Sequence, residues 1–165
     1  MAVKPEDLKI SQASKEHLSE IINILNIVTS DLRKKNIMQW DYPWNEKEVL
    51  YDIERNRAYI VTVNEQAIAT FFIKEKESLS TLILEPESVY LNQIAVLPEY
   101  QGQNIGRRII NYTKDLAQTK KSPLYLDCWA GNDKLVEFYS ENGFEFLGDY
   151  AEEDYFVSIF KFKSD

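Results

Sequence analysis

A β-rich run that ends at a proline and becomes a helical stripe within a few residues constrains this chain more than any other feature. The stretch reads Leu91-Asn92-Gln93-Ile94-Ala95-Val96-Leu97-Pro98-Glu99-Tyr100-Gln101-Gly102-Gln103-Asn104-Ile105-Gly106-Arg107-Arg108. Pro98 lacks the N–H that a ladder needs, so the strand Ser88 to Leu97 stops there. Ile105, Ile109, Tyr112 and Leu116 then recur at helical spacing, which predicts a helix from Asn104 to about Thr119. The strand Leu124 to Trp129 follows behind Pro123, and together these segments read as a parallel βαβ crossover.

The flanking segments supply the rest of the architecture. Leu8-Lys9-Ile10 reads as a short first strand. Ser14 is placed to cap a helix carrying Leu18, Ile21, Ile22, Leu25, Val28 and Leu32. An aromatic loop, Met38-Gln39-Trp40-Asp41-Tyr42-Pro43-Trp44, leads to Asn45, a cap for a second helix through about Glu54. Ala58 to Val63 and Ala67 to Lys74 form a hairpin around Asn64-Glu65-Gln66. Asn132 opens a last helix that stops at Asn142-Gly143, and strands follow near Phe144 to Leu147 and Tyr155 to Lys163. The order β-α-α-β-β-β-α-β-α-β-β implies an antiparallel meander joined to the crossover: an α/β (α+β) fold with a mixed sheet flanked by helices.

At 165 residues, with no repeat and no Gly/Ser/Pro linker, residues 1–165 are expected to form a single domain. A net charge of −8 argues against nucleic-acid binding, which wants a basic face. It suits a cationic acceptor such as an amine. One cysteine, Cys128, excludes an internal disulfide, and no metal cluster is evident. The absence of a signal-like start and of a long apolar run predicts a cytoplasmic protein without a membrane partner.

The strand–turn–helix junction is suited to phosphate. A helix N-terminus presents unpaired N–H groups and the positive end of its dipole. Gly102 and Gly106 allow close approach, and Arg107 and Arg108 add charged donors. The turn is neither a Walker P-loop, whose Gly-Lys-Ser/Thr ending is missing, nor the dinucleotide fingerprint.

The turn does resemble the cofactor motif of the GNAT N-acetyltransferase superfamily, Gln/Arg-x-x-Gly-x-Gly/Ala. Gln101 and Gly106 match its ends and Asn104 replaces its middle glycine, a mild change because asparagine tolerates a positive φ. Leu124-Tyr125-Leu126-Asp127-Cys128-Trp129, then Asn132, Phe138-Tyr139 and Asn142-Gly143-Phe144, is similar to the family's next strand, helix and turn. The resemblance implies a GNAT fold, with a sheet of about six to seven strands and about four helices. It also implies acetyl-CoA as donor and no metal.

On that resemblance, Ile94, Ala95 and Val96 would pair with the pantetheine arm, and Gln101, Gly102, Gln103, Asn104, Ile105, Gly106 and Arg107 would hold the pyrophosphate. Asn132 would hydrogen-bond the cofactor, and Tyr139 would protonate the leaving thiolate, since a phenol stays protonated at neutral pH. Asn132 and Tyr139 stand seven apart, about two helical turns. The base is less determined. Tyr90-Leu91-Asn92-Gln93 holds no carboxylate where many relatives have a glutamate, and Asp127 is read either as a base or water-positioning residue or as a solvated carboxylate. His17 reads as a surface residue and Cys128 as an apolar one.

Trp40 and Tyr42, with Met38, Asp41 and Trp44 nearby, either line an acceptor pocket or cover the core between two helices. Glu85 and Glu87 are further candidates there, and Thr81 to Pro86 either extends a strand or forms a flap. The expected activity is acetyl transfer to a primary amine of a small molecule or peptide; the alternative is a noncatalytic acyl-CoA-binding module. Tyr155 to Phe160 suits an internal strand or a homodimer contact.

Overall fold

The computed structural model describes residues 4–37, 40 and 42–162. Met38, Asp41 and Lys163 lie outside the described residues. The elements are β1 (Leu8–Gln12), α1 (Leu18–Lys34), α2 (Glu46–Glu54), β2 (Ala58–Val63), β3 (Gln66–Glu75), β4 (Ser78–Leu79) and β5 (Leu82–Ile83). They continue with β6 (Val89–Val96), α3 (Ile105–Lys120), β7 (Leu124–Trp129), α4 (Asp133–Glu141), β8 (Phe144–Ala151) and β9 (Phe156–Phe162). Seven strands form a mixed sheet in the order β1-β2-β3-β6-β7-β9-β8. The β6–β7 pair is parallel, as the crossover pattern required.

The chain groups into two compact units, Met1–Ile73 with Gln93–Ile109, and Lys74–Asn92 with Ile110–Asp165. In the first, α1 buries Ile21, Ile24, Leu25 and Val28, one stripe at helical spacing. These pack with Val49 and Ile53 of α2 and with Ile60 and Phe72 of the hairpin. The hairpin turns through Asn64 and Glu65, both at positive φ (49° and 69°), which matches the right-handed twist of its strands. Asn45 caps α2 as read from sequence, its Oδ1 accepting from the N–H groups of Lys47 and Glu48 at 2.8 and 3.3 Å. Ser14 behaves differently. A single 3-10 turn, Lys15–His17, precedes α1, and the Ser14 N–H donates to Nδ1 of His17 at 3.0 Å. His17 therefore closes the helix entrance, a role its isolation in the sequence did not suggest.

In the second unit, β9 pairs antiparallel with β7 on one side and β8 on the other. The terminal apolar strand is thus internal, and β8 is the edge; Gly148, at φ 137°, marks a register shift that bends it. The stretch around Thr81 forms the small hairpin β4–β5, whose Leu79 joins Leu84 over Tyr90, Tyr125, Val157 and Ile159. Helix α4 ends as expected: Gly143 takes φ 88°, and Nδ2 of Asn142 donates back to the Phe138 carbonyl at 2.7 Å.

Candidate active site

The turn after β6 belongs to the first unit. Pro98–Tyr100 makes one 3-10 turn, Gln101 is extended, and Gly102 (φ 82°) and Asn104 (φ 64°) both take the left-handed region. The Asn104 carbonyl accepts the first helical bond of α3, from the Arg108 N–H at 3.1 Å. Asparagine thus occupies a glycine-like conformation at the position where the motif has glycine. A Cβ on Gly102 would meet nothing within 4 Å, so its glycine serves the positive φ rather than close packing. Gln101 turns its side chain back, Nε2 donating to the Val96 carbonyl at 3.0 Å, and so buttresses the end of β6. Ile105 and Ile109 anchor the helix by burial. The first turn of α3 carries no acidic side chain, which leaves its N–H groups and dipole favourable to an anion. These features fit a diphosphate group.

The second unit holds a part-buried polar cluster. The β6–β7 ladder consists of Val89–Leu124, Tyr90–Tyr125 and Leu91–Leu126. Asp127 points to the same face as Tyr125, one step diagonally from Tyr90. The Tyr90 hydroxyl donates to Asp127 Oδ1 at 2.6 Å. Burial lifts the Asp127 carboxyl to about 6; the Tyr90 hydrogen bond and Lys76 pull it down, and Glu152 pushes it up. Tyr90, buried beside that carboxyl, is held well above the usual phenol range. Sequence reasoning missed Tyr90, because only the strand register brings it to Asp127.

Tyr139 is buried, its ring packed edge-on against Phe144 and Phe160. Burial raises its phenol well above the ordinary value, with Cys128 and Asp127 adding to the effect. It therefore stays protonated at any physiological pH. Burial also pushes the Cys128 thiol up to about 12, followed by the charges of Asp127 and Asp149, which leaves it a poor nucleophile. Asn132 opens α4 as read from sequence, as its N-cap: its Oδ1 accepts from the Leu135 N–H at 3.3 Å. Its Nδ2 remains the group suited to a ligand. Glu85 is committed to Lys161 and to the Tyr125 hydroxyl, the latter at 3.1 Å.

The aromatic loop is pinned to α1. The Trp44 Nε1–H donates to Thr29 Oγ1 at 2.8 Å, and Thr29 donates in turn to the Leu25 carbonyl at 2.7 Å. Trp40 and Trp44 meet edge-on and pack on the core, while Tyr42 is exposed. The two tryptophans thus cover core, and Tyr42 stands outside it beside Arg33. Among the described residues no helix is long and apolar enough to cross a membrane.

The sequence pattern of the acetyltransferase (GNAT) family matches residues 24–144. An uncharacterised N-acetyltransferase of Bacillus subtilis, YesJ, is 25% identical over 142 residues, covering 81% of this chain and 79% of its own. A ribosomal-protein alanine N-acetyltransferase from Escherichia coli superposes with a TM-score of 0.69 at 20% identity, over 94% of this chain and 92% of that one. The PaiA N-acetyltransferase of Thermoplasma acidophilum, solved with coenzyme A, superposes at 0.73 with 16% identity, over 94% and 99%. At these identities the two solved structures speak for the fold.

Proposed function

The chain belongs to the acetyltransferase (GNAT) family, and from that membership we propose that it moves an acetyl group from acetyl-CoA to a primary amine of a small molecule or peptide. The observation that carries this reading is the turn Gln101–Arg107, where two left-handed residues deliver the backbone into the N-terminus of α3. In this reading residues 1–165 act as one domain; the family match draws on segments of both units.

Acetyl-CoA, when bound, supplies a thioester activated for attack by an amine. The protein's tasks are to hold it, to neutralise the acceptor, and to return a proton to the departing sulfur. The N–H groups of the turn from Gly102 to Arg107 hold the diphosphate, with Gln101 bracing the turn. The backbone of Ile94, Ala95 and Val96 pairs with the pantetheine amides and offers N–H groups to the carbonyl oxygen. Asn132 hydrogen-bonds the same arm through Nδ2. Tyr139 donates its proton to sulfur, the phenol being held neutral by burial until the thiolate forms. Asp127 takes the proton from the acceptor ammonium, directly or through water; a carboxyl near 6 is ionised at neutral pH yet basic enough to accept. Tyr42 flanks the acceptor side.

Calorimetry with acetyl-CoA and with ATP tests the donor. Heat with the first and none with the second is expected, and the reverse would remove the reading. Release of free CoA across polyamines, amino acids and peptide N-termini then identifies the acceptor.

A further inference from the structure

The hairpin β4–β5 is an amphipathic strip laid on one face of the second unit. Leu79 pairs with Leu82 and Ser78 with Ile83 around the turn at Ser80 and Thr81, and the Leu84 N–H closes on the Glu77 carbonyl at 2.9 Å. Facing residues share a side, so Leu79 and Leu82, with Leu84 two positions on, point one way and Ile83 the other. The first side is packed. Leu79 and Leu84 are buried with Tyr90, Tyr125, Val157 and Ile159, and Leu82 packs against them, whereas Ile83 is exposed.

The covered face is the one that carries Asp127. In the β7–β9 ladder Asp127 lies opposite Ile159, flanked on its own face by the pairs Tyr125–Lys161 and Trp129–Val157. Tyr90 reaches the same carboxyl from β6. The residues beneath the hairpin are therefore the immediate neighbours of the carboxyl. Lys76, in the stem of the hairpin, and Glu152, just after β8, act on it with opposite signs, and its charge reaches Cys128 and Tyr139. An amine has no route to a carboxyl enclosed in this way while its cover stays down.

The cover is lightly held. Strands of two residues do not stand alone in water, so this hairpin owes its order to docking. Besides its leucines it has two ties. At the tip the Ser80 hydroxyl donates to the Ala151 carbonyl of the edge strand β8, and at the base Glu85 accepts from Lys161 and from the Tyr125 hydroxyl. An ion pair as exposed as Glu85–Lys161 adds little. The hairpin can thus lift as a unit and leave the ladder beneath it intact.

We propose that β4–β5 is an access lid on the acceptor side, latched by the Ser80–Ala151 bond, which lifts from Tyr90 and Ile159 to let an amine or its water meet Asp127. The inference rests on the acetyl-CoA-to-amine reading above, in which Asp127 is the base.

Ser80→Cys combined with Ala151→Cys places a thiol on each side of the latch. Cys128, buried and with its thiol pushed up to about 12, stays out of the exchange. The oxidised chain, its bridge confirmed by mass, is expected to bind acetyl-CoA like the wild type by calorimetry. Its CoA release with the acceptor found by the panel should fall about tenfold or more and return on reduction. Equal turnover in the oxidised and reduced forms would overturn the lid. Two further measurements need neither cofactor nor acceptor. Ser80→Ala should speed amide exchange in residues 77–85 about tenfold and leave β9 unchanged; unaltered exchange would remove the latch. In Leu79→Ser with Leu84→Ser, the Asp127 carboxyl followed by carbon NMR should titrate below about 6, toward 3.8, as water reaches the face. An unchanged midpoint in the folded variant would mean that the hairpin does not cover Asp127. Wild-type chain that fails to bind acetyl-CoA would strike the donor reading, while exchange and titration still decide the lid.

Discussion

Tyr90 and Asp127, on neighbouring parallel strands and 37 positions apart in the chain, share a 2.6 Å hydrogen bond in which the phenol donates to the carboxylate. The bond offsets part of the burial that would otherwise hold Asp127 protonated. It leaves the carboxyl titrating close to neutrality.

That position has a consequence for stability. The Asp127 carboxyl rises from 3.8 to about 6 on folding, so the folded state binds its proton more tightly than the unfolded chain. Its contribution is fully present below the unfolded value and is lost as pH rises through about 6. Asp127→Asn should therefore gain on the wild type between pH 4 and pH 8, by up to about 3 kcal/mol. Urea unfolding of both proteins across that range checks it; a difference that is constant with pH would refute the shift. CoA release by the wild type should fall on the acid side of about 6, and the variant should lack that limb.

Tyr139→Phe keeps the ring that Phe144 and Phe160 pack against and removes only the hydroxyl. Turnover at saturating acetyl-CoA should fall by about 100-fold, the lower range for a general acid. Acetyl-CoA affinity by calorimetry should change far less. An unchanged kcat would assign Tyr139 to packing alone.

Asn104 carries a testable cost in its backbone. At φ 64° a β-branched side chain is strained, whereas glycine is relaxed. Asn104→Gly should hold acetyl-CoA within about threefold of wild type, and Asn104→Val should destabilise the chain by about 1–2 kcal/mol and weaken binding. Equal affinities for the two variants would mean the turn does not need this conformation.

Thr29→Val is nearly isosteric and deletes the acceptor of the Trp44 indole N–H. A loss of about 1–2 kcal/mol in unfolding free energy is expected, with a shift in tryptophan emission as the indole loses its partner. No change in either would show that Trp44 is held by packing alone.

Much of this molecule is legible in its sequence, and the parts that are not have a common cause. The stripe Ile21, Leu25, Val28 announces α1, the capping asparagine Asn45 announces α2, and Pro98 with Gly102 announces the turn, because each signal is local. Residue pairs that depend on register or on distant chain were invisible. Tyr90 meeting Asp127 requires knowing which residue of β7 lies beside Tyr90. The burial of Thr29 requires knowing that Trp44 folds back 15 positions.

The open space at Gly102 has a consequence of handedness. A methyl group there would touch nothing, so size is not what the position selects; it selects a chirality that ordinary residues lack. Semisynthesis with D-alanine at 102 should therefore leave the loop intact, while the L-enantiomer, identical in volume, should distort it.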